Sequence, residues 1–168
     1  MHGVRAALFR LWGRLPTSLR RHVVRLFSPS FTVGANCVIV DRAGTDGAGS
    51  EGAGSIVLVR HSYRADWGLP GGLIGRKEEP ADAVRRETLE EIGLEIEVDG
   101  PPVVIVDAPL QQIDFAFRAS PVAGSVAAAR SAEILEVAWF AIDALPALQR
   151  DARQALVALG IGQPGGAH

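Results

Sequence analysis

The sequence predicts an α/β fold in which helices cover a mixed sheet, and three observations carry that reading. Short apolar, strand-like runs are interleaved with helix-like stretches in mixed order. One acidic helical stretch stands in their midst, with Pro80 placed for its first turn and Gly93 for its stop. The length of 168 residues suits one domain and permits a sizeable core without disulfides, and the single cysteine, Cys37, allows no internal disulfide.

From the start of the chain, apolar residues recur at helical spacing between Val4 and Phe27, interrupted by Pro16-Thr17-Ser18, a turn and cap signature. They predict two short amphipathic helices in a basic extension over residues 1–30. This extension holds Arg5, Arg10, Arg14, Arg20, Arg21 and Arg25 and no acid. The arginines break the apolar run too often for a secretory signal, and although an Arg-rich, acid-free start also resembles an organelle transit peptide, a cytoplasmic protein is expected. Two readings of residues 1–28 stay open: a weak contact with anionic lipid or RNA, or packing on the body or on a second subunit of a homodimer.

A strand is expected at Phe31 to Val40, with Cys37 as a buried thiol, then a flexible Gly-, Ala- and Ser-rich loop from Asp41 to Ser55. Strand signals resume at Ile56 to Val59. Trp67-Gly68-Leu69-Pro70-Gly71-Gly72 holds too much Gly and Pro to continue a strand and is read as a turn. A helix follows from Pro80 to Ile92. Further strands are expected at Leu94 to Val98, Val103 to Val106, Ile113 to Ala119 and Ile134 to Phe140, with a C-terminal helix from Ile142 to Leu159. No stretch approaches the roughly 20 apolar residues that a membrane span needs.

Outside the basic extension, 11 basic residues face 19 acidic ones. A negative body is a poor surface for duplex nucleic acid and suits a protein that gathers divalent cations.

Within the central helix, Glu87, Glu90 and Glu91 fall on one side, while Ala81, Val84, Thr88 and Ile92 fall on the side that can pack. Like charges at this spacing cost an isolated helix roughly 0.2–0.5 kcal/mol per pair, so they call for a cation or for full solvation. Alone, the helix fits a solvated acidic face. The Gly71-Gly72 turn upstream changes the balance, because without Cβ atoms its backbone can approach a metal closely. Mg²⁺ takes one or two carboxylates, with waters and phosphate oxygens completing an octahedron. Glu78 stands eight residues before Arg86, and a pair between them would lock the loop to the helix.

The pattern Gly72-x5-Glu78-x7-Arg86-Glu87-Thr88-x-Glu90-Glu91-x-Gly93-Leu94 is similar to the Nudix box, G-x5-E-x7-R-E-U-x-E-E-x-G-U, with every fixed position met and Thr88 at an aliphatic one. With the preceding Leu69-Pro70-Gly71 and the strand order, the resemblance extends over residues 31–159. It implies a Nudix-like α/β/α sandwich with a mixed sheet over residues 31–160, followed by a flexible tail at 161–168. It also implies hydrolysis of the pyrophosphate linkage in a nucleoside diphosphate linked to another moiety: a nucleoside triphosphate, ADP-ribose or a nucleotide sugar. The implied ion is Mg²⁺, with Mn²⁺ as a substitute.

By the same resemblance Glu87 and Glu91 are the principal ligands, the Gly71 carbonyl completes the site, and Glu90 is a further ligand or the base, ahead of Glu87. Gly72, Glu78, Arg86 and Gly93 shape the motif. For the anionic substrate, Arg60, Arg64, Arg76 and Lys77 flank the site in sequence, with Arg60 the first choice for a phosphate contact. Trp67 and the pair Phe115 and Phe117 are candidates for base stacking, although the pair shares a face and reads better as core; His61 could position a phosphate, with exposure to solvent the favoured expectation. Pro109, fifteen residues after Leu94, resembles a spacing of ADP-ribose hydrolases, whereas Arg60-His61-Ser62-Tyr63-Arg64 does not reproduce the coenzyme A signature. A catalytically idle nucleotide-sensing module is the alternative, although such a module would be free to lose the carboxylates, and all are present.

Overall fold

A computed structural model describes residues 12–28, 30–41 and 54–162. The chain divides into two compact units, Met1–Phe31 and Thr32–His168. In the first, helix α1 (Thr17–Phe27) follows Pro16, whose extended backbone makes it the cap residue, and ends with Ser28 donating its N–H to the Val24 carbonyl. Most of the first predicted helix, the loop at 42–53 and the tail from 163 lie outside the described residues. Among the described residues, no helix is long and apolar enough to cross a membrane.

The second unit is an α/β/α sandwich. Its strands are β1 (Thr32–Asp41), β2 (Ser55–His61), β3 (Gly71–Leu73), β4 (Ile96–Val98), β5 (Val103–Asp107), β6 (Gln112–Pro121) and β7 (Ile134–Ala141). Helices α2 (Pro80–Ile92) and α3 (Arg150–Ala158) cover its two faces. The sheet order is β4-β6-β1-β2-β7, with β3 paired to β1 and β5 to β6. Strands β1 and β6 run parallel, in register from Thr32 with Gln112 to Ile39 with Ala119, and the other described pairs are antiparallel.

Strand alternation sorts the core. On β1, Ala35, Cys37 and Ile39 face α2 with Val84 and Ile92, whereas Val38 faces α3 with Ala152 and Leu156. Burial of Ile56 through Val59 on both faces explains why β2 reads as an unbroken apolar run. Phe115 and Phe117 pack with the α2-side core, as expected. Cys37 is buried, and desolvation pushes its thiol up to about 12.

Two expectations need correction. The stretch taken as a turn continues into strand β3, because Gly71 and Gly72 pair with Asn36 and Ala35 on β1. Gly71 has φ 145°, and a Cβ there would come within 2.3 Å of the Ala35 carbonyl, so glycine is what permits the pairing. The C-terminal helix begins at Arg150 rather than Ile142. Pro146 lacks the N–H a helix would use, and Leu148 instead bridges to Trp67.

Candidate active site

Helix α2 begins with Pro80 at its N-terminal end and stops at Gly93, whose φ of 66° lets its N–H reach the Leu89 carbonyl. Val84, Thr88 and Ile92 are fully buried beneath it, and the Thr88 hydroxyl meets Cys37 Sγ at 3.5 Å. The helix also carries Glu91 inward, its side chain only 11% exposed, while Glu87 is 19% and Glu90 61% exposed.

The predicted lock between loop and helix is present. Arg86 grips Glu78 through two bonds, Nε to Oε1 at 2.8 Å and Nη2 to Oε2 at 3.0 Å, and Glu78 Oε2 also accepts the Gly75 N–H at 2.6 Å. Those donors, Arg86 first and Gly75 second, hold the Glu78 carboxyl down at about 2. The same guanidinium bonds Leu73 O at 3.3 Å, Glu87 Oε1 at 2.8 Å and Glu90 Oε2 at 3.2 Å. It thus braces the turn and two of the three carboxylates.

Glycine lets the carboxylates approach β3. A Cβ on Gly72 would fall 2.5 Å from the Glu87 carboxyl carbon. Gly71 donates its N–H to Glu91 Oε2 at 3.1 Å, and His61 Nε2 lies 3.9 Å from Glu91 Oε1. Burial, then the charges of Glu87, Glu133 and Glu90, push the Glu91 carboxyl up to about 7 against the pull of that N–H. Among the described residues no three acidic, His or Cys side chains converge to cage an ion. The donor set nonetheless fits a hard divalent cation, which needs one or two protein carboxylates and keeps several waters. A buried carboxyl crowded by like charges is where such an ion would relieve repulsion.

Beside this platform lies a cleft of about 230 Å³. Its lining includes Gly71 and Gly72, Asn36 of β1, Gln112 and Asp114 of β6, and Arg64. Gly34 makes room for Asp114, since a Cβ there would sit 2.6 Å from Asp114 Oδ1. Burial raises the Asp114 carboxyl above its usual range, with Asp151 and Asp107 adding to the effect and the Gln112 amide, at 2.8 and 3.0 Å, opposing it. Asn36 Oδ1 is buried and has no hydrogen-bond partner among the described residues.

The flanking candidates separate. Arg64 lines the cleft, bonded to Gln149 Oε1 at 2.6 Å and Asp151 Oδ2 at 3.3 Å. Arg60 does not; its guanidinium pairs with Glu136 on β7, the strand opposite it in register. Arg76 and Lys77 are exposed on the turn before α2, Lys77 at φ 63°. Trp67 meets Phe140 edge-on at 4.9 Å and packs on the α3-side core, so it is no open stacking platform. His61 is buried at 8% rather than solvated, because it ends β2 beneath Gln149. Burial, then Arg64, lower its pKa, with Asp151 and Glu133 opposing, so the ring is biased toward neutral.

Sequence reasoning missed Asn36, Asp114 and Gln149. Polar residues inside the apolar runs Ile113 to Phe117 and Phe31 to Val40 were signals for Asp114 and Asn36; Gln149 had none, since only the start of α3 brings it to the cleft.

A mixed sheet between helices, with a braced carboxylate helix against a glycine strand, defines the class. The chain belongs to the Nudix hydrolase family: the NUDIX domain model matches residues 31–159. A MutT-like protein of Streptomyces ambofaciens is 31% identical over 97 residues, which span 58% of this chain and 62% of that protein. The MutT NUDIX hydrolase structure from Burkholderia pseudomallei superposes with a TM-score of 0.62 at 26% identity, over 76% of this chain and 97% of that one. An ADP-ribose pyrophosphatase from Streptococcus suis shares the fold at 21% identity and a TM-score of 0.60, over 80% and 90% of the two chains.

Proposed function

We propose that the protein is a Mg²⁺-dependent pyrophosphohydrolase that cleaves the diphosphate linkage of a nucleoside diphosphate joined to another moiety. The observation that carries this reading is the placement of Glu87 and Glu91 against the backbone of Gly71 and Gly72, at the wall of the cleft. Glu87 and Glu91 would hold the ion, with Mn²⁺ as a substitute. A bound divalent cation neutralises phosphate charge and lowers the pKa of water.

The protein's own residues then divide the remaining work. Glu90, the most exposed of the three carboxylates, takes the proton of the attacking water as its oxygen bonds to phosphorus and the bridging P–O bond breaks. Arg86 keeps Glu87 and Glu90 from drifting apart, and Glu78 keeps Arg86 in place. Arg64 is the cationic contact for the substrate, replacing Arg60 in that role. A structure that shares this fold is an ADP-ribose pyrophosphatase, so ADP-ribose joins nucleoside triphosphates and nucleotide sugars on the substrate panel.

The test is a panel of nucleoside diphosphate derivatives assayed with Mg²⁺ for released nucleoside monophosphate or phosphate, repeated with Glu91→Gln. Turnover by the parent and its abolition in a folded Glu91→Gln protein is the expected result; undiminished activity in that variant overturns the assignment.

A further inference from the structure

Burying a polar side chain costs free energy unless its donors and acceptors are met, and His61 is a costly residue to place at the end of an apolar strand. What it meets is specific. Nδ1 lies 3.4 Å from Gln149 Nε2, and Nε2 lies 3.9 Å from Glu91 Oε1. The proton position follows from the neighbours. Gln149 Oε1 accepts from Arg64 Nη1 at 2.6 Å while its Nε2 donates to the Asp66 carbonyl at 2.9 Å. Turning the amide over would set oxygen against the carbonyl and nitrogen against the guanidinium, so its orientation is determined. The second hydrogen of the amide nitrogen therefore faces His61 Nδ1, which accepts, and the ring proton resides on Nε2, toward Glu91.

Gly68 protects this arrangement, since a Cβ there would come within 3.0 Å of the amide carbon, nitrogen and oxygen of Gln149. The two oxygens of Glu91 thus have different neighbours: Oε2 accepts the Gly71 N–H, and Oε1 lies 3.9 Å from His61 Nε2. At 3.9 Å the second contact biases the carboxylate rather than locking it.

We infer that His61, oriented by Gln149 and through it by Arg64, is a positioning residue that sets the carboxylate plane of Glu91 for receiving a cation. The inference rests on the reading of Glu91 as a cation ligand. Residues that orient a ligand in this way typically change metal affinity about 10–100-fold when replaced. Direct titration of the purified protein with Mn²⁺, followed by electron paramagnetic resonance without substrate, measures this apart from turnover.

His61→Leu is expected to weaken Mn²⁺ binding about 10-fold, and His61→Gln, which returns an amide N–H near the place of Nε2, to recover most of it. Gln149→Leu weakens binding as well, and the double variant is no weaker than His61→Leu alone, because both changes break one chain of contacts. If the leucine variants fold poorly, His61→Asn decides. It keeps a polar group near the place of Nδ1 and none near that of Nε2, and it should weaken binding. Parent affinity in folded His61→Leu, in His61→Asn where that variant decides, or losses that simply add in the double variant, overturns the positioning role. Failure of the parent itself to bind Mn²⁺ overturns the cation reading instead.

Discussion

The carboxylate platform and the cleft share the wall of β3 but are assembled in different ways. The contacts that join the glycine turn to the carboxylate helix, between Gly71 and Gly93, lie in one stretch of chain and span at most twenty residues, as from Gly71 to Glu91, with β1 and His61 supporting them from outside. The cleft draws on Asn36, Arg64, Asp114 and Gln149, gathered by strand pairing over the length of the domain. The platform is charged and braced by one guanidinium, whereas the cleft holds a raised carboxyl and an unpartnered amide oxygen. The first gathers negative charge, and the second leaves a buried amide oxygen without a partner among the described residues.

Substitutions should split along this line. The largest effect belongs to the platform: Glu90→Gln should lower kcat roughly 10²–10⁴-fold with little change in KM, as loss of a general base does. A change confined to KM, with kcat unaltered, would move Glu90 out of that role. Two glycine replacements set the regions against each other. Gly72→Ala pushes a methyl into Glu87 and should weaken Mg²⁺ activation about 10-fold or more, while Gly34→Ala pushes one into Asp114 and should raise KM at unchanged metal dependence. Metal titrations of activity for the two variants tell them apart, and identical profiles would erase the distinction.

A smaller effect is expected at Asn36. Replacing it with Leu removes a buried acceptor that lacks a partner, so stability should rise by about 1 kcal/mol in chemical denaturation while KM increases. The smallest belongs to Glu78. Its carboxyl titrates near 2 in the folded protein against 4.5 ordinarily, so the folded state favours its ionised form. The stability this supplies is present above about pH 4.5 and is lost as pH falls toward 2. Melting curves of the parent and Glu78→Gln should therefore differ at pH 6 and draw together by about pH 2.

The same contrast decides how much of the molecule could be read from its residues. Helix α2 was legible to its ends because Pro80 and Gly93 act locally, and so was the Glu78 to Arg86 lock, because its spacing is fixed by one loop and two helical turns. The strands were found with their ends off by one or two residues. Strand β3 was not, since glycines that read as a turn become strand residues only where β1 leaves backbone to pair with. Arg60 and Trp67 were candidate ligand contacts by proximity in sequence, yet β7 claims the first and the α3-side core the second. His61 was expected in water because nothing near it in sequence announces Gln149.

The parallel pairing of β1 with β6 also bears on the order in which the protein becomes competent. A growing chain that has reached Leu94 already carries every residue of the platform, but β1, which holds β3 in place, has its long partner strand only once residues 112–121 have been made. Pairing across some eighty residues of intervening chain is slow compared with closing a helix or a hairpin. The carboxylates are therefore present well before the scaffold that aims them, and capacity to hold an ion should arise late, together with the cleft.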